Sequence, residues 1–200
     1  MGKTGIKTAI FGFAMNFALF LIKLYVSISS GSLAIYCDGI NNLGDTLSCI
    51  IALAGFILTI KLSEIKSSRA QALASFVIGL ILAVTGAYFA YNGLERLMYP
   101  VQISYLKSYA VLIAVTALVK LIMGIVYIYV NKKHPSPVYK TLIMDSFLDC
   151  AITISTLLSL TLSVKINFAI DSILSIVIGI IVAVSAVKTI VSQSKYLINN

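Results

Sequence analysis

Apolar residues run through this chain in long blocks, and polar residues collect in the short breaks between them. Windows of about 20 residues, the length a helix needs to cross the hydrocarbon core of a bilayer, pick out six blocks. They cover residues 4–27, 33–60, 70–97, 105–130, 138–163 and 168–191, nearly the whole chain. All three prolines, Pro100, Pro135 and Pro137, fall in the breaks, where a helix must stop. The pattern predicts an all-α membrane protein: a single domain over residues 1–200 with six transmembrane helices. No linker composition divides the chain, and no cytoplasmic domain is expected after the sixth block.

Composition agrees with that reading and excludes others. The chain is 60% hydrophobic and 11% charged, against about 45–50% and 25% for a soluble domain. The net charge of +8 does not imply nucleic acid, because the basic residues are spread over short loops rather than one surface. Their distribution reports topology instead. With the N-terminus inside, Lys3, Lys7, Lys61, Lys66, Arg69, Lys132, Lys133, Lys140, Lys188 and Lys195 face the cytoplasm, against Arg96, Lys107 and Lys165 outside. Both termini are therefore expected in the cytoplasm, in a multi-pass protein of the cell membrane. The first block is too long, and too poor in a cleavage signature, for a removable signal peptide. Cys37, Cys49 and Cys150 all lie within blocks, which argues against structural disulfides.

A weak internal repeat runs through the third and sixth blocks. Ser75-Phe-Val-Ile-Gly-Leu-Ile-Leu-Ala-Val84 matches Ser175-Ile-Val-Ile-Gly-Ile-Ile-Val-Ala-Val184 at most positions. Each half would then hold three helices in opposite orientation, the inverted arrangement of many secondary transporters.

Only seven residues are acidic, and Asp38, Asp45, Asp145 and Asp149 lie inside the second and fifth blocks. At about 2.5–3.5 kcal/mol for each ionised Asp at the centre of a span, the four oppose insertion by roughly 10–14 kcal/mol. Asp45 and Asp149 sit near the middle of their blocks, at matching depth. Residues four apart share a helix face, so Asn41 stands over Asp45 and Asp145 over Asp149. Facing helices would gather one amide and three carboxylates into an oxygen cluster that calls for a cation. Oxygen donors suit Mn²⁺, Mg²⁺ or Ca²⁺; the lack of an in-membrane His or paired Cys counts against a dedicated Zn²⁺ or Cu site, and Fe²⁺ stays open. The competing reading pairs the acids with Lys23 and Lys120 as ion pairs that fix helix packing. Two lysines do not neutralise four aspartates.

These residues resemble those of the cation diffusion facilitators, six-helix exporters of divalent metals in exchange for protons. Ser32-Leu-Ala-Ile-Tyr-Cys-Asp-Gly-Ile-Asn-Asn-Leu-Gly-Asp45 looks like that family's second-helix signature, and Met144-Asp-Ser-Phe-Leu-Asp149 like its fifth-helix counterpart. Asp171-Ser-Ile-Leu-Ser-Ile-Val-Ile-Gly179 resembles the opening of its sixth helix. The resemblance implies the metal ligands Asn41, Asp45, Asp145 and Asp149, and a manganese-type carrier, because zinc carriers typically place His in these helices. It implies a Mn²⁺/H⁺ antiporter rather than an enzyme, working as a homodimer in the lipid bilayer, with no cofactor beyond the transported cation. Fe²⁺ or Zn²⁺ export, and a non-transporting metal-binding scaffold, are the alternatives. A membrane hydrolase lacks a His beside the acids, a nucleophile elbow and a GxGD-type pair. Two departures from the family are visible. Residues 192–200 are too few for the family's usual ferredoxin-like cytoplasmic domain, and its His- and Gly-bearing loop after the second block is replaced by Glu64-Ile-Lys-Ser-Ser-Arg-Ala-Gln71.

Other residues carry weaker signals. Asp38 reads as an outer way-station for ions or as a carboxylate near outer water. Cys37 and Cys49 bracket Asn41 and Asp45 at steps of four, where a thiolate would favour softer metals, although a buried Cys more often packs as a small apolar group. His134 falls in a basic loop and reads as solvated. Gly39 and Gly44 read as small residues that let the fifth helix approach the second. Glu95 with Arg96 reads as an interfacial charge pair, and Asp171 as an acid at a helix N-terminus.

Overall fold

The computed structural model describes residues 2–61, 64–133, 137–162 and 169–199. They form six helices: α1 (Gly2–Ser30), α2 (Leu33–Lys61), α3 (Glu64–Met98), α4 (Lys107–Lys133), α5 (Pro137–Leu162) and α6 (Ala169–Asn199). Each covers all or nearly all of one of the six apolar blocks. Five carry described stretches long and apolar enough to cross a membrane: Ile6–Ser30, Ser75–Met98, Lys107–Lys133, Leu142–Leu162 and Ile170–Ile198. The remaining helix, α2, is 29 residues long and carries Asp38 and Asp45 in its length. The protein is a multi-pass membrane protein, and its surface fits: Ile28, Val84 and Val111 are more than 60% exposed, while Lys23, Asp38 and Lys120 are buried.

The helix ends follow from local chemistry. Gly31 closes α1 with a φ of +75°, a left-handed conformation open to glycine without a Cβ clash, and its amide donates to the Ser27 carbonyl at 2.8 Å. Ser32 then caps α2, its hydroxyl oxygen accepting from the Ile35 amide at 3.2 Å. Asp171 adds a second cap from across the bundle. Its carboxylate accepts from the Leu33 amide at 2.9 Å, the Ala34 amide at 3.4 Å and the Ser32 hydroxyl at 2.5 Å. The acid at the start of α6 thus serves the dipole of α2 as well as its own. Arg96 does not pair with Glu95; its guanidinium donates to the Gly31 carbonyl at 2.5 Å, tying the end of α3 to the α1–α2 turn.

Residues 64–71 form the first two turns of α3 rather than a loop. Polar helix formers extend the helix beyond its apolar part, which hydropathy alone does not register. His134 lies outside the described residues.

Helices α3 and α6 pack antiparallel at backbone contact. A Cβ added at Gly86 would lie 2.6 Å from the Ala183 amide nitrogen, and one at Gly93 would lie 2.9 Å from the Ser172 carbonyl. The repeat glycines meet this seam symmetrically. Gly79 faces the Ala186 carbonyl and Gly179 the Gly86 carbonyl, so exchanging each position for the one a hundred residues away maps one contact onto the other. That is the relation an inverted repeat requires. Leu33, Ala34 and Cys37 of α2 pack with Phe89, Ile178 and Val182 to join this pair to the rest. A second cluster of Val26, Ile35, Ile113 and Leu160 joins α1, α2, α4 and α5.

Candidate functional site

The middle of α2, the first half of α3, the first half and middle of α5 and the middle and second half of α6 line a cavity of about 300 Å³. Because the chain crosses alternately, the cavity runs from mid-depth, at Asn41 and Asp45, toward the end that carries both termini, at Ser75 and Gln193. Asn41, Asp45, Asp145 and Asp149 all line it. The four residues singled out by their spacing therefore share one chamber, and their surroundings decide what they do there.

Lys120 of α4 reaches into the group. Its ammonium donates to Asp45 Oδ2 at 3.0 Å and to Asp149 Oδ2 at a very short contact. The Asn41 amide donates to the other oxygen of Asp149 at 2.8 Å. Asp149 is buried, Asp45 is about a third exposed, and Lys120 is 2% exposed. Asp145 lies one turn toward the termini from Asp149, exposed to the cavity. Among the described residues, no three His, Cys, Asp or Glu side chains stand close enough to hold a metal ion as they are. The arrangement is ion-paired, with an ammonium between two carboxylates. Counting full charges, three aspartates and one lysine leave two negative charges in the chamber.

Asp38 does not line this cavity and is not exposed to outer water. It is fully buried toward the end of the bundle away from the termini, the sealed side, where Ser30, Ser32 and Asp171 are buried as well, and its Oδ2 pairs with Lys23 of α1 at 2.8 Å and accepts from Thr153 of α5 at 3.0 Å. Thr153 in turn accepts from Lys23 at 2.8 Å, closing a three-membered network across α1, α2 and α5. Asp38 Oδ1, Asn42 Oδ1 and Asn16 Oδ1 are buried without a hydrogen-bond partner among the described residues.

The other expectations resolve by packing. Gly39 lets α1 approach, since an added Cβ would meet Lys23 Cβ at 3.3 Å, and Gly44 faces Leu82 of α3 at 3.1 Å, so neither serves contact with α5. Cys37 lies within an apolar cluster, and Cys150 donates to the Ala117 carbonyl at 3.4 Å. Both are packing residues, and all three cysteines are unpaired by disulfides.

Sequence reasoning missed the far wall of the chamber. Ser185, Thr189 and Gln193 line it at steps of four along α6, and Ser75 joins them from α3. The signal was present as a polar stripe at helical spacing within an apolar block. For Lys120 the sequence alone suggests only a packing charge.

Comparison with known proteins agrees with this architecture. An uncharacterized transporter of Methanocaldococcus jannaschii is 30% identical over 148 residues, which cover 70% of this chain and 50% of the relative. The chain thus spans about half the length of the curated relative it matches. Residues 9–198 match the family described as the cation efflux transmembrane domain, so the chain belongs to the cation efflux family.

Proposed function

We propose that the protein exports a divalent metal cation, using Asn41, Asp45, Asp145 and Asp149 as the metal site near mid-depth between α2 and α5. The observation that carries the reading is the single chamber of about 300 Å³ that all four line, extending toward the side of the termini. The excess of positive residues supports a cytoplasmic location for that side, so the chamber is where cytoplasmic metal would load. Family membership supports export as the activity.

All-oxygen donors favour Mn²⁺ as the transported ion, with Fe²⁺ and Zn²⁺ as the alternatives. Protons are the counter-ion in this reading. Carboxylates that bind a metal ion bind it deprotonated, so H⁺ and metal exclude one another at the same oxygens. A homodimer is the expected assembly. The test is flux of Mn²⁺ and Zn²⁺ into proteoliposomes carrying a metal-sensitive dye, with and without an imposed pH gradient. Asp45→Ala and Asp149→Ala should each abolish flux. Flux that survives both substitutions would remove the site, and flux indifferent to the pH gradient would remove antiport.

A second reading is favoured by the ion pairs themselves. Lys120 held by Asp45 and Asp149, and Lys23 by Asp38, tie α4 and α1 to α2 and α5. On this reading the acids serve assembly alone, in a scaffold that binds metal without moving it. Asp149→Ala would then change the oligomeric state while the wild type showed no flux.

A further inference from the structure

Among the described residues, the cation that stands between the proposed ligands is one that the chain carries itself. We infer that Lys120 is a tethered competitor for the metal site, occupying Asp45 and Asp149 in the metal-free state and exchanging with the incoming ion. The inference rests on the metal-site reading above.

Three observations lead to it. First, the Lys120 ammonium bonds both Asp45 and Asp149, the carboxylates that α2 and α5 bring to the same depth. A metal ion bridging these two oxygens would take the ammonium's place. Second, Asn41 already orients Asp149 through its other oxygen at 2.8 Å, so the carboxylate keeps its position when Oδ2 changes partner. Third, the chamber's charge fits the exchange. Asp45, Asp145 and Asp149 with Lys120 leave two negative charges, which one divalent ion cancels and a monovalent ion does not. Lys120 thereby contributes to the choice of a doubly charged cargo while remaining in the neutral, loaded site.

The exchange has a kinetic meaning. A site with a net charge of minus three and no internal cation would hold a divalent ion tightly and release it slowly. With Lys120 the carboxylates never stand bare, because the ammonium re-forms its bonds as the metal leaves. The residue trades affinity for turnover. Lys120 is therefore a specificity and release determinant and not a ligand, and it acts by moving between partners.

The sign of the effect separates this role from a structural one. A lysine that merely braces the helices would, on removal, loosen the site and weaken metal binding; a competitor would, on removal, tighten it. The experiment measures Mn²⁺ and Zn²⁺ binding to the purified full chain in nanodiscs by equilibrium dialysis, with dissociation followed by chelator chase. Lys120→Met is expected to bind at least about tenfold more tightly than wild type and to release more slowly, as expected for removing a cation beside a divalent site. Lys120→Arg is expected to bind more weakly than wild type, because a guanidinium engages both carboxylates with two fixed donors. A folded Lys120→Met that binds no more tightly than wild type overturns the inference. If Lys120→Met does not fold, the arginine variant decides: weaker binding upholds the competitor role, and equal or tighter binding overturns it. Wild type that binds neither metal overturns the metal-site reading itself, whereas wild-type binding with unchanged variants overturns the competitor alone.

Discussion

Lys23→Met isolates the other ion pair, on the sealed side of the bundle. Lys23 and Asp38 are both 0% exposed and 2.8 Å apart. In the variant, Asp38 would keep Thr153 at 3.0 Å and Thr156 at 3.5 Å, both neutral hydroxyls, while its Oδ1 already lacks a partner among the described residues. Removing one member of a buried pair leaves an uncompensated charge and costs about 3–5 kcal/mol. At roughly 2–4 °C per kcal/mol for a chain of this size, Tm should fall by about 6 °C or more. Replacing both members, as Lys23→Met with Asp38→Asn, removes the uncompensated charge and should recover most of the loss. Unfolding can be followed in detergent with a thiol-reactive dye, because Cys37 and Cys150 are buried and become reactive only when the bundle opens. A Lys23→Met variant within about 2 °C of wild type would refute the assigned energetic role. So would a double variant no more stable than the single one.

Two further substitutions test the frame that holds the site. Gly86→Val should separate α3 from α6, since its Cβ would sit 2.6 Å from the Ala183 nitrogen and 2.7 Å from the Gly179 carbonyl. The expected cost is about 3 kcal/mol or more, read by the same thermal assay, and a variant as stable as wild type would contradict the packing. Asp171→Ala should cost about 1–2 kcal/mol by stripping the Leu33 and Ala34 amides of their acceptor, whereas Asp171→Asn, which keeps an acceptor oxygen, should cost less. Equal losses in the two variants would deny Asp171 its capping role.

The six spans could be read from the chain because hydropathy is a local, one-dimensional property, and bilayer thickness sets the window. The cluster of Asn41, Asp45, Asp145 and Asp149 was legible for a similar reason: steps of four fix a helix face whatever the partners. What the spacing left open was rotation and register between helices. Gly39 and Gly44 could face any neighbour, and only packing shows that they face α1 and α3. Asp38 shares a helix with Asp45 but lies nearly two turns away on the sealed side, where Lys23 meets it. The placement of Lys120 depended on how α4 packs against α5, which nothing in the apolar sequence of α4 specifies. The start of α3 at Glu64 was missed because a hydropathy window ends where polarity begins, although a helix does not.

Among the described residues, the two buried lysines come from α1 and α4, and every acid they hold comes from α2 and α5. The two clusters therefore tie the same pair of inner helices to different neighbours at different depths. Asp149 and Thr153 sit one turn apart on α5, so a tilt of α5 strains the Lys120 contacts and the Lys23 network together. On the proposed exchange, a metal ion that takes Lys120's place on Asp149 frees α5 from α4 on the chamber side while the Lys23, Asp38 and Thr153 network still holds the sealed side. Opening to the far side then requires that network to part. Its energy of a few kcal/mol is comparable to the differential binding an ion must supply to shift such an equilibrium. The sealed-side network is thus suited to keep the far side shut until the chamber is loaded.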